Sequence, residues 1–126
     1  MLPLLVFLGA GIGGSVRYLL GGWIQAQTGA AFPWGTLAVN VTGSFALALI
    51  LVFLEGTRVS PGWRVFLGIG VCGGYTTFST FGYETVRLLQ DGQWSRAGAY
   101  VMLSVALSLM ASFLGFGIAD TMLSKG

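Results

Sequence analysis

The sequence contains no histidine and only one cysteine, Cys72, in 126 residues. A lone Cys closes no intrachain disulfide, and without His beside it a zinc or other transition-metal centre is not expected. Cys72 reads instead as a small packing residue. Charge is almost as scarce. Six Lys or Arg and four Asp or Glu make up 8% of the chain, against about 25% in ordinary soluble domains. The four carboxylates are scattered near predicted helix ends and form no acid/base pair. No nucleotide motif or nucleophile constellation is present, so the chain reads as a non-enzyme. A net charge of +2 without a basic cluster gives no support for a nucleic-acid partner.

What fills the chain instead is apolar surface. Hydrophobic residues make up 55%, and the mean hydropathy is +0.83. Uncharged runs cover 1–16, 18–54, 65–83 and 97–119. About 20 apolar residues are needed to cross the hydrocarbon layer. The 18–54 run is too long for one crossing, and it holds a turn at Gly29-Ala30-Ala31-Phe32-Pro33. The expected fold is therefore an all-α integral membrane protein, one domain over 1–126, with four crossings at 3–26, 33–55, 63–89 and 95–121. No basic residue precedes Leu2 and the apolar pattern resumes after Arg17, so the first segment reads as a retained helix rather than a signal peptide. Trp23, Trp34, Trp63, Trp94 and Tyr18 fall near the predicted helix ends, as an interfacial belt requires.

Four crossings put both termini and the 56–62 loop on one side, with Arg58, Arg64 and Lys125. Arg87 and Arg96 lie on the other side, joined by Arg17 if it reaches the 27–32 loop. Orientation normally follows a bias in basic residues, and here there is almost none. Insertion both ways, with pairing as an antiparallel dimer, is one reading; a partner or a weak bias that sets one orientation is the other. So small a chain buries little polar surface against itself, so homo-oligomerisation is expected. The spacings Gly9-xxx-Gly13, Gly70-xxx-Gly74 and Ala111-xxx-Gly115 would let helices approach closely.

The polar groups within the apolar runs are few and ordered. Between 97 and 119 the only hydrogen-bonding side chains are Tyr100, Ser104, Ser108 and Ser112, each four residues after the last. On a helix they form one slowly drifting stripe, about 18 Å long at roughly 1.5 Å per residue. A single membrane Ser often bonds its own i−4 carbonyl or bridges helices. Four in register suit a moving anion, since hydroxyls donate without fixed charge. Thr36, Asn40 and Ser44 repeat the spacing in the second crossing. Asn40 is the costly member, because both ends of its amide need partners. Its NH₂ could serve an anion, or the amide could join helices.

The third crossing carries Gly73-Gly74-Tyr75-Thr76-Thr77-Phe78-Ser79-Thr80-Phe81. Paired glycines and paired threonines are poor helix material, which predicts a break near 73–77. Loosened backbone at membrane depth is tolerated only inside protein or beside a polar cavity. Freed carbonyls there suit a hard cation. Phe78 and Phe81 share a face, and ring edges are electropositive, so they can line an anion path beside the hydroxyls of Thr77, Ser79 and Thr80. Packing alone would also explain the pair. Arg17 either snorkels to the interface or forms an electropositive vestibule. Glu84 could bond a helix end or a pore-facing hydroxyl.

With these residues in view, the chain resembles the Fluc/CrcB family of fluoride channels over its full length. The carrying motifs are Gly13-Gly14-Ser15-Val16-Arg17-Tyr18, Gly35-Thr36-Leu37-Ala38-Val39-Asn40-Val41-Thr42-Gly43-Ser44 and the 73–81 segment, the last being the most specific. The resemblance implies an antiparallel, dual-topology homodimer in a bacterial inner membrane, with two fluoride pores. It implies passive efflux of cytosolic F⁻, which protects a cell in which HF has dissociated. By matching position, Asn40, Phe78, Phe81, Ser79, Thr80, Glu84, Tyr100, Ser104, Ser108 and Ser112 would line the pore, and Arg17 its vestibule. The carbonyls of Gly73 and Thr76 would hold a structural Na⁺ on the dimer axis.

Two rivals remain. A small multidrug-type transporter has the same size, but it uses a carboxylate in its first helix, and residues 1–54 contain no Asp or Glu. A non-transport membrane scaffold subunit would have no reason to keep the fourth-helix hydroxyls in single file.

Overall fold

The computed structural model describes residues 1–29 and 31–125, and these are helical nearly throughout. The expected turn at 29–33 includes Ala30, which lies outside the described residues. Helix α1 (Leu2–Thr28) ends at Gly29, whose φ of 88° is a conformation that favours glycine and whose N–H donates to the Gln25 carbonyl. Helix α2 (Trp34–Glu55) starts after Pro33 and leads through a short turn to Ser60, whose hydroxyl accepts from the Gly62 N–H. Helix α3 covers 61–75, and its middle, Arg64–Cys72, is a π-helix. Helix α4 is Phe78–Gln90. A turn with Gly92 at φ 73° then leads into the longest helix, α5 (Trp94–Ser124).

Helices α1, α2 and α5 are each long and apolar enough to cross a membrane, with mean hydropathies of 1.5, 2.3 and 2.1. Helices α3 and α4 form one bent helix. Its break is narrower than the sequence suggested, and it falls later. Gly73–Tyr75 is helical, and only Thr76 and Thr77 are extended, at φ/ψ −85°/157° and −150°/120°. The reason lies in the hydroxyls. Thr76 Oγ1 turns back onto the Cys72 carbonyl at 3.0 Å, and Thr77 Oγ1 caps α4 by accepting from the Thr80 N–H at 3.2 Å. Capping of this kind competes with helix continuation.

The glycines have a different task. Helix α1 lies directly on α3, with backbone against backbone. A Cβ on Gly74 would sit 2.5 Å from the Ala10 carbonyl oxygen, and one on Gly13 would collide with the Val71 carbonyl oxygen and the Tyr75 nitrogen. Gly115 of α5 meets α2 in the same way, against Phe45 and Ala48. The three small-residue spacings are thus taken up within the chain, in the α1–α3 and α2–α5 contacts. Packing of this kind is what holds helices together where water offers no driving force.

Much of the remaining surface is formed by exposed large apolar side chains. Among the described residues, the largest side chains that are fully buried are Tyr100 and Val39. The ion pairs Arg64–Glu55 at 3.0 Å and Arg87–Asp91 at 3.7 Å are both exposed and contribute little.

Replacing Gly13 by Ala should destabilise the fold by about 1–3 kcal/mol, the usual range for an overpacked contact. Thermal unfolding followed by tryptophan fluorescence in detergent would show a lowered midpoint. Gly117→Ala, where a Cβ meets nothing within 4 Å, serves as the neutral control.

Candidate functional site

A break in a membrane helix leaves backbone groups without partners, and each must be met or bear the cost. Asn40 of α2 meets two of them. Its Nδ2 donates to the Thr77 carbonyl at 2.9 Å, and its Oδ1 accepts from the Thr77 N–H at 2.8 Å. The side-chain amide thus stands in for the peptide group that a continuous helix would have supplied. Nδ2 has a second hydrogen, and Asn40 lines the adjacent groove.

Arg17 meets a third. Its Nε donates to the Gly74 carbonyl at 3.2 Å. The residue expected to line a vestibule therefore also grips the break. It borders a second cavity, of about 270 Å³, with Thr36, Thr77, Thr80 and Glu84. Because the Thr77 N–H is turned to Asn40, it no longer serves the Gly73 carbonyl. Among the described residues, the carbonyl of Thr76 accepts no hydrogen bond. A free carbonyl oxygen at a helix break is a ligand of the hard-cation type. Of the two residues expected to offer carbonyls to a cation, Thr76 lies in the extended break and Gly73 is itself helical.

Alongside the break runs a groove of about 390 Å³, lined by Asn40, Ser44, Thr76, Thr77, Phe78, Phe81, Ser104 and Ser108 together with Leu47, Val105 and Leu109. The Phe78 and Phe81 rings lie 5.7 Å apart, and Phe78 is 83% exposed. The groove therefore has a wall missing on the Phe78 side. Ser104 Oγ is buried and, among the described residues, has no hydrogen-bond partner, not even its own i−4 carbonyl. Ser44, by contrast, spends its hydroxyl on the Asn40 carbonyl at 2.7 Å.

Not every expected pore residue reaches the groove. Ser112 Oγ points to the Ser44 carbonyl at 3.5 Å. Ser79 is exposed, and its Oγ lies 3.4 Å from Thr77 Oγ1. Thr80 faces the Arg17 cavity. Tyr100 is fully buried and does not line the groove, but it packs on one groove residue. Its ring packs 5.1 Å from Phe81, and its hydroxyl donates to Glu84 Oε1 at 2.9 Å. Glu84 opens into a mouth cavity of about 520 Å³ near the helix ends, lined also by Gln25, Arg87, Asp91 and Arg96. The i, i+4 hydroxyl stripe thus divides into a residue bonded to Glu84 (Tyr100), two groove residues (Ser104, Ser108) and a residue that touches α2 (Ser112). Sequence reasoning passed over Gln25 and Phe32, whose only signal was a polar residue and an aromatic at a predicted turn.

These features define a multi-pass helical membrane protein with a polar, aromatic-edged groove beside a bent helix. The chain belongs to the CrcB-like protein family (Camphor Resistance, CrcB), which matches residues 4–116. It is 47% identical over 120 residues to the fluoride-specific ion channel FluC of Rhizobium meliloti (strain 1021), covering 94% of this chain and 96% of that protein. The FluC of Thermus thermophilus is also 47% identical over 120 residues, covering 94% of each. That of Paramagnetospirillum magneticum is 45% identical over 124 residues, covering 96% of each.

Asn40→Ala would strand the Thr77 N–H and carbonyl at once. A loss of about 1–3 kcal/mol for each group left unsatisfied is expected, read as a lowered unfolding midpoint in detergent. An unchanged midpoint would mean that water replaces the amide without loss.

Proposed function

We propose that the protein is a fluoride-selective channel that releases cytosolic F⁻ passively down its electrochemical gradient. The observation that carries this reading is the buried, unpartnered Ser104 hydroxyl in a groove that offers donors and ring edges but no cation. A buried polar atom without a partner calls for a ligand. A small, strongly hydrated anion would exchange water for the second Asn40 N–H, the Ser104 and Ser108 hydroxyls, and the electropositive edges of Phe78 and Phe81. None of these binds as tightly as a Lys would, so the ion can leave. The names of the relatives support fluoride as the ion.

In this reading the chain crosses the bacterial inner membrane four times as a single domain over 1–126, and two copies pair antiparallel, with one groove each. The exposed Phe78 ring and the missing groove wall support a second copy at that face. The nearly balanced Arg and Lys distribution supports insertion in both directions. The carbonyls of Gly73 and Thr76 would hold a Na⁺ shared between the copies, supported by the Thr76 carbonyl that accepts no hydrogen bond among the described residues.

Liposomes loaded with fluoride and reconstituted with purified protein test the function. Fluoride should leave electrogenically and chloride should stay. No release of fluoride would end the channel reading. Ser104→Ala should cut the flux while leaving the unfolding midpoint equal or higher, because it removes a group that has no partner. Phe81→Ile should likewise cut flux with assembly intact. Removal of sodium should weaken the dimer on size-exclusion chromatography, and an unaltered dimer would argue against the cation seat.

A further inference from the structure

Tyr100 touches Phe81 of the groove and Glu84 of the mouth cavity, and its position is held from several sides. Phe81 holds one side of its ring and Glu84 holds its hydroxyl. A third contact comes from outside the helices. Phe32, in the turn between α1 and α2, meets the Tyr100 ring edge to face, with centroids 5.6 Å apart and planes at 83°. That is the favoured geometry for an aromatic pair.

A residue in a turn is a poor anchor unless the turn is held. Here one side chain holds it. Gln25 Nε2 donates to the carbonyls of Gly29 at 2.6 Å and of Phe32 at 3.0 Å, and its Oε1 accepts from the Gly35 N–H at 3.1 Å. The Phe32 carbonyl also takes the Trp34 N–H at 2.8 Å, and the Phe32 ring lies 4.6 Å from that of Trp34. Gln25 thus uses its whole amide to tie the end of α1, the turn and the start of α2 into one unit, with Phe32 on its inner side.

We propose that Phe32, locked by Gln25, is a positioning residue of the ion pathway: it braces the Tyr100 ring so that the Tyr100 hydroxyl stays on Glu84. The inference rests on the channel reading for its consequence, but the brace itself is a matter of structure. Phe32 touches no ion. It acts through Tyr100.

The test uses the full chain in liposomes and a spectroscopic probe. Phe32→Ala should reduce fluoride efflux by roughly three- to tenfold, the factor that the loss of one aromatic pair represents. Phe32→Leu, which keeps most of the volume but no ring edge, should reduce it too. In a Tyr100→Phe background, Phe32→Ala should cost nothing further, because the hydroxyl it positions is already gone. The same loss in both backgrounds, or no loss in either, would overturn the proposal. A 3-fluorotyrosine placed at position 100 decides the matter without conduction. Its fluorine resonance should shift in Phe32→Leu and in Gln25→Ala, and an unmoved resonance in both would overturn the brace even where Tyr100→Phe is silent. If the unmodified protein releases no fluoride, the channel reading fails, and the fluorine measurement still reports on the brace.

Discussion

The structure depends on how a broken backbone is satisfied inside an apolar layer. Little water reaches an apolar layer, so the N–H and carbonyl groups released by the bend at Thr76 and Thr77 depend mainly on partners from the protein. Asn40 answers from α2, Arg17 from α1, and the Thr76 and Thr77 hydroxyls answer from the bend itself. Three segments far apart in sequence are thereby fixed around two residues. The groove follows from that arrangement. Asn40 brings α2 to the bend, α5 packs on α2 through Gly115, and the stripe of Ser104 and Ser108 comes to face Phe78 and Phe81.

Close packing makes the reach possible. Arg17 contacts the Gly74 carbonyl because α1 and α3 touch along Gly9, Gly13, Gly70 and Gly74 with no side chains between them. A single methyl group there would move the guanidinium away from the oxygen it serves. The glycines of the bent helix are therefore linked to its break through their neighbour rather than through their own conformation.

Much of this was legible in the sequence, and the misses have physical reasons. The long uncharged runs gave the α1, α2 and α5 crossings closely, because hydrocarbon thickness sets helix length. The four-residue spacing of Tyr100, Ser104, Ser108 and Ser112 did put Ser104 and Ser108 on one face. It could not say that Ser112 would turn to a carbonyl of α2, which depends on the rotation of a neighbouring helix. Gly73-Gly74 was read as loosened backbone because glycine lowers helix propensity. Tertiary contact with Ala10 overrode propensity, and the bend moved to the threonines. The π-turn at Arg64–Cys72 left no sequence signature, because a wide turn needs no special residue type. Gln25 and Phe32 were missed because a polar side chain at a helix end looks the same whether it meets water or ties a turn.

One feature of the bend reaches into heredity. The Asn40 amide acts as a substitute peptide group, offering one donor and one acceptor at a fixed reach from the α2 backbone. Asp has lost the donor, Ser and Thr are too short to offer both, Gln is one methylene too long, and Lys, His, Tyr and Ile have the wrong shape or polarity. Every amino acid one nucleotide away from an asparagine codon lies in the failing set. A single-nucleotide change at this codon either leaves asparagine in place or removes the substitute peptide group.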